Sequence, residues 1–244
     1  MNVMRKNLRR ESVLGIRLTG VVIIVGNYGS GKTEVTVNLA FHQKQKGIHV
    51  QVADLDLVNP YFRAREARKA FEQMGIEVIL PPERLMQADL PILMPQVSGL
   101  ICETENLVIL DVGGDDVGAT VLAALQQAFR RVKGSINMMQ VINPYRPNTE
   151  SIEGCLQMRR AIESRARMSV SKWIGNAHML EETTLEHFRH GHDFMNQLKN
   201  ASGLEVEFIT APNELLSLIE KEQSNWPVLP IHRQLVPPWK KAGR

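Results

Sequence analysis

Cysteine is nearly absent from this chain: Cys102 and Cys155 are the only two. Two isolated thiols build neither a disulfide framework nor a C-x-x-C metal clasp, so a reducing, cytoplasmic setting is expected. Aromatic residues make up 5% of the chain against 43% hydrophobic overall, so the core must be mostly aliphatic. No apolar run approaches the roughly 18 residues that a membrane span requires, so no transmembrane segment is expected. The basic start (Arg5, Lys6, Arg9, Arg10) leads into no apolar signal core.

Charge is present in both signs but unevenly placed. The net charge is +3, yet residues 1–17 carry +4 and residues 225–244 carry +4, which leaves −5 on the body between them. The expected organisation is a basic arm (1–17), one domain (18–224) and a basic, proline-containing tail (225–244). A chain of 244 residues is long enough for one α/β domain with a full core. Basic ends can touch nucleic acid or anionic lipid. Neither end here has a long charge run or interleaved aromatics, so solvated ends are the simpler reading and nucleic acid is not the expected partner.

Apolar strand-like runs alternate with helical patterns almost throughout. Strands are predicted near 21–25, 48–53, 77–80, 107–110, 135–142, 170–175 and 204–209, the last taken as the final strand. Helices are predicted near 34–46, 63–74, 117–131, 149–165 and 183–199. Residues 81–95 hold four prolines and read as irregular, either core cover or a mobile lid. This alternation argues for a three-layer, doubly wound, mostly parallel α/β sheet. Ligands of such sheets sit at the carboxyl ends of the strands.

The most informative strand end is Gly26-Asn27-Tyr28-Gly29-Ser30-Gly31-Lys32-Thr33. It fits G-x-x-x-x-G-K-[ST], a phosphate-binding loop, and lies between an apolar β-branched run and a helical one. Backbone N–H groups of such a loop close around a phosphate, aided by the helix N-terminus reaching Glu34. Lys32 would reach the β- and γ-phosphates, and the Thr33 hydroxyl would hold Mg²⁺.

Other strand ends add polar groups. Asp111 closes an apolar strand as a Walker-B carboxylate does and would share Mg²⁺ with Thr33. Gly113 and Gly114 follow, and the Gly114 N–H is a candidate γ-phosphate sensor. Asp54 and Asp56 flank Leu55; alternate residues share one side of a strand, so either could orient an attacking water. Asp115 and Asp116 suit a helix N-terminus as well as catalysis. Asn176 could read an adenine edge. No Asn-Lys-x-Asp, the guanine-reading signature of many GTPases, occurs, so ATP is expected over GTP. Arg63, Arg65 and Arg68 read as an anion site or, more simply, a solvated helix face. His187, His190 and His192 lack a supporting carboxylate or cysteine spacing, so no metal site is expected there.

The runs GNYGSGKTE (26–34), DLDLVNPYFRAREA (54–67), DVGGDDVGA (111–119), NPYRPNT (143–149) and GNAHMLEETT (175–184) together resemble the MinD/ParA/CobQ/CobB-type (SIMIBI class) P-loop ATPases, in a poorly characterised bacterial branch. The resemblance covers roughly residues 20–212. It implies a P-loop NTPase fold, Mg-ATP binding, slow hydrolysis and often a nucleotide-dependent homodimer. By this resemblance Lys32 and Thr33 act on phosphate and Mg²⁺, Asp54 or Asp56 on water, Asp111 as Walker B, and Asn176 on adenine. One departure stands out. The loop lysine that reaches across a dimer in MinD-type proteins is Asn27 here, followed by Tyr28. A neutral amide cannot balance developing negative charge; either another cation, Arg63, substitutes, or the protein alone hydrolyses ATP very slowly.

The expected function is an ATP/ADP switch with slow ATPase activity, read by an unidentified protein partner. The alternative is a metabolic enzyme in which ATP activates a small carboxylate, as in dethiobiotin-synthetase-like or CobQ/CobB-like relatives. There, Arg63, Arg65 and Tyr145–Arg146 would bind the substrate. A third reading is a scaffold held on nucleic acid or membrane by its basic ends.

Overall fold

The computed structural model describes residues 15–56, 68–79, 90–102, 106–114, 116–222 and 224–234. Among the described residues eight strands form one sheet: β1 (Gly20–Gly26), β2 (Val50–Leu55), β3 (Glu77–Ile79), β4 (Leu107–Val112), β5 (Ile136–Ile142), β6 (Lys172–Gly175), β7 (Val206–Pro212) and β8 (Val228–Ile231). Their spatial order is β3-β2-β4-β1-β5-β6-β7-β8, and every pairing is parallel. An all-parallel sheet must be covered on both faces, which explains why β1 and β4 are apolar at nearly every position.

Helices α1 (Lys32–Gln45) and α2 (Arg68–Gln73) belong to one face. Their Val35, Leu39 and Phe71 are buried with Val22, Ile24, Val52 and Leu229. The opposite face carries α3 (Leu90–Cys102), α4 (Asp116–Ala124), α5 (Gln126–Phe129), α6 (Ile152–Ala166), α7 (Leu185–Ser202) and α8 (Leu216–Ile219). There Val97, Ile101, Leu122, Phe129, Cys155, Met195 and Leu198 are buried against Ile23, Val25 and Trp173. The predicted doubly wound, three-layer architecture is thus the observed one, and the sheet is parallel throughout.

Three local differences have physical causes. The stretch predicted as irregular around 81–95 enters α3 at Leu90 despite Pro95; Val97 and Ile101, one turn apart, bury completely on the sheet, and packing outweighs the proline. The predicted helix at 117–131 breaks at Leu125 into α4 and α5. The segment predicted as a tail supplies β8, which among the described residues pairs only with β7. At this edge Pro230 costs no hydrogen bond to a further strand. Residues 57–67, most of 81–95, the arm at 1–14 and the end at 235–244 lie outside the described residues, as do Arg63, Arg65 and Asp115.

Leu229 is fully buried with α1 side chains, so β8 is part of the core. Leu229→Ala should lower the unfolding free energy by about 2–5 kcal/mol. Urea denaturation checks this; a change within the error of the titration would mean that the segment is a loose tail.

Candidate phosphate-binding site

The turn from β1 to α1 is shaped by its glycines. Gly31 caps α1 at φ 89, a left-handed conformation, and donates no side-chain cap. By contrast, α6 and α7 are capped by Ser151 and Thr184 side chains. Gly31 therefore supplies no side-chain oxygen to the first turn of α1, and a helix start of this kind can receive an anion. A Cβ at Gly31 would stand 2.3 Å from Asn176 Nδ2, so no larger residue fits. Ser30, Lys32 and Thr33 are buried, while Tyr28 at the loop tip is 71% exposed.

Lys32 Nζ donates to Asn27 O at 3.1 Å, and Ser30 N–H donates to the same oxygen at 3.2 Å. The lysine thus points into the loop. Gly114 packs against it: a Cβ there would meet Gly26 O at 2.2 Å and Lys32 Nζ at 3.1 Å. The predicted sensor glycine is therefore brought beside the loop.

The outer wall comes from the segments after β5 and β6. Asn176 Nδ2 donates to Ser30 O at 2.6 Å, and Asn176 Oδ1 accepts from Thr210 Oγ1 at 2.5 Å. The amide predicted to read adenine is 4% exposed and joins the loop to β7 through these two bonds. Asn27 Nδ2 donates to Pro147 O at 2.6 Å, and Arg146 Nε donates to Gly29 O at 3.1 Å. Asn143 organises that segment. Its Oδ1 accepts from Tyr145 N–H, its Nδ2 donates to His178 O, and its carbonyl accepts from Thr149 Oγ1.

Three carboxylates gather on the inner side. Asp54 and Asp111 are opposite one another on β2 and β4, both fully buried, and Asp56 lies just beyond. Asp54 Oδ1 accepts from Asp56 N–H at 3.0 Å. Burial, then the Asp54 charge, raise the Asp111 pKa to about 8; the Thr33 hydroxyl and Lys32 pull it down, and Asp56 adds a smaller upward push. The three acids that sequence spacing singled out thus lie close together, with a mutual repulsion that spacing does not show.

This donor set fits Mg²⁺. Hard oxygen groups converge beside Thr33, and their uncompensated negative charge is what a divalent cation relieves. Among the described residues no group of three or more His, Cys, Asp or Glu is arranged to hold a metal alone. Mg²⁺ ordinarily takes one or two protein groups and completes its shell with phosphate and water.

The remaining candidates have structural settings. His187 forms a capping box with Thr184, and His187 and His190 pack on Tyr145 at 5.0 and 5.3 Å. His192 packs on Trp226 at 4.9 Å. Arg68 pairs with Glu72 on an exposed helix face. His178 is a site neighbour to which sequence reading gave no role, although it lies in the GNAHMLEETT run. Its Nε2 is buried and 3.1 Å from where a Gly31 Cβ would stand. Burial first, then Arg146 and Arg233, lower its pKa to about 4, so it is neutral at physiological pH.

Solved structures share this fold. FtsY from Mycoplasma mycoides matches with TM-score 0.55 and 16% identity, over 84% of this chain and 64% of that one. The signal recognition particle receptor FtsY from Elizabethkingia anophelis matches with TM-score 0.57 and 16% identity, over 85% and 65%. FlhF complexed with GTP and Mg²⁺ matches with TM-score 0.50 and 15% identity, over 85% and 73%. This chain therefore spans less than two thirds of the length of either FtsY chain. No family model and no curated protein matches it. At such identities the likeness establishes the fold alone, the α/β fold of P-loop NTPases.

The raised Asp111 pKa has a consequence for stability. Its folded value of about 8 exceeds the reference 3.8, so its contribution is full at low pH and is lost as pH rises through about 8. In metal-free buffer, Asp111→Asn should be more stable than the parent, by on the order of a few kcal/mol at pH 9 and by little at pH 4. Urea denaturation across that range checks the sign; a variant less stable than the parent at pH 9 contradicts it.

Proposed function

We propose that this chain binds a nucleoside triphosphate with Mg²⁺, prefers ATP, hydrolyses it slowly, and passes its nucleotide state to a protein partner. The observation that carries the reading is the meeting of a glycine-capped helix start and a buried Lys32 with the Asp54–Asp56–Asp111 group beside Thr33. In this reading the N–H groups of Gly29, Ser30, Gly31, Lys32 and Thr33 surround the β-phosphate. Lys32 Nζ exchanges Asn27 O for phosphate oxygens. Thr33 and Asp111 would hold Mg²⁺, which would supply positive charge against the phosphates. Asp54 or Asp56 orients the attacking water, and Gly114 N–H lies close enough to the loop to register a γ-phosphate.

The likeness to MinD/ParA-type ATPases and the missing Asn-Lys-x-Asp support adenine. After β6 the chain reads Asn176-Ala177-His178-Met179, with no carboxylate to pair with the guanine N1 and N2 hydrogens. The GTP in the FlhF structure makes GTP the competing ligand. Tyr28, exposed at the loop tip, is where a protein partner, a second copy of this chain included, would touch the loop. Among the described residues no helix is long and apolar enough to cross a membrane, which leaves the cytoplasmic setting a reading from composition.

Titration calorimetry with Mg-ATP, Mg-GTP and Mg-ADP tests the reading. The parent should bind ATP more tightly than GTP. Lys32→Ala should weaken ATP binding by about 10- to 100-fold, the worth of one or two charge-assisted contacts. A Lys32→Ala protein with parental affinity would end the site assignment.

A further inference from the structure

Consecutive carbonyls of the phosphate loop are pulled outward by two distant side chains. Arg146 Nε holds Gly29 O at 3.1 Å, and Asn176 Nδ2 holds Ser30 O at 2.6 Å. A trans peptide is planar, and its N–H points opposite its C=O. Fixing these two oxygens outward therefore turns the N–H groups of Ser30 and Gly31 inward. The Ser30 N–H does point inward, at Asn27 O, the oxygen that also receives Lys32 Nζ.

Arg146 does more than donate one hydrogen bond. Its Cδ and Nε both lie 3.5 Å from where a Gly29 Cβ would stand, so its stem lies flat along the loop. The 143–149 segment that carries it is fastened by Asn143 and Thr149, and Asn27 Nδ2 ties that segment to the loop through Pro147 O. Its charge also reaches inward, since it helps keep buried His178 neutral. Asn27, where a loop cation was sought, is neutral and bonded to Pro147.

Resting on the nucleotide reading, we propose that Arg146 is a positioning residue that holds the loop N–H groups toward the polyphosphate and supplies, from the same chain, the fixed positive charge absent at Asn27. Its effect grows with the negative charge of the ligand. The ligand class is the β,γ end of a nucleoside triphosphate.

The test compares full-length parent, Arg146→Ala, Arg146→Gln and Arg146→Lys for binding of fluorescent Mg-ATP and Mg-ADP at several salt concentrations, with a melting curve of each variant. Arg146→Ala and Arg146→Gln should weaken ATP about 10-fold or more, ADP distinctly less, and flatten the salt dependence. Arg146→Lys should recover the salt dependence and most of the ATP preference, because it keeps the charge. Equal weakening of ATP and ADP with unchanged salt dependence would overturn the charge role, as would parental behaviour of Arg146→Ala. If Arg146→Ala does not fold, Arg146→Gln and Arg146→Lys decide the same question. A parent that binds neither ATP nor GTP overturns the nucleotide reading and this proposal with it; a binding parent with indifferent variants overturns this proposal alone.

Discussion

The carboxyl edge of the sheet depends on one constraint: in the Gly26–Lys32 turn the Gly29 and Ser30 carbonyls must be held outward so that the N–H groups of Ser30 and Gly31 turn inward. A free peptide does not hold that shape, because ordering each residue costs about 1–2 kcal/mol. The fold supplies the restraint from outside. β1 anchors one end in the middle of the sheet, and α1 anchors the other. Asn176 and Arg146 fix the carbonyls between them. Gly31 and Gly114 are glycines because the tether and the neighbouring turn approach so closely that a Cβ would collide.

The opposing charges follow from the same placement. Parallel strands in register set Asp54 against Asp111, and burial makes their repulsion expensive. Lys32 and the Thr33 hydroxyl offset part of it. The rest is stored as a raised Asp111 pKa, a stability cost that a divalent cation with phosphate would remove. A site built this way is less stable than an apolar core of the same volume, and under the proposed function the same repulsion would favour a cation with polyphosphate.

What was legible in the sequence was local. Strand, glycine loop and helix lie within one short segment, so Gly26–Thr33 could be read directly, and Asp54 and Asp111 were legible because each ends an apolar run. The tethers were not: Arg146 and Gly29 are 117 residues apart, and Asn176 and Ser30 are 146 apart. No spacing rule links them. Asn176 was picked out for its position after a strand, but only the structure shows its amide turned toward the loop. β8 was hidden because Pro227 and Pro230 look like breakers, which an edge strand tolerates. α3 was hidden by its prolines for a related reason: burial of Val97 and Ile101 decides the helix, and burial is invisible before the sheet exists.

The central claim is that the Gly26–Thr33 loop encloses a nucleoside polyphosphate, with Thr33 and Asp111 turned to its Mg²⁺. A crystal structure with Mg²⁺ and a non-hydrolysable ATP analogue tests it most directly. The account predicts the β-phosphate inside the ring of Gly29–Thr33 N–H groups, Lys32 Nζ moved from Asn27 O onto phosphate, and Mg²⁺ beside the Thr33 hydroxyl. A nucleotide bound elsewhere, or a loop with Lys32 still on Asn27 O at saturating ligand, would contradict it.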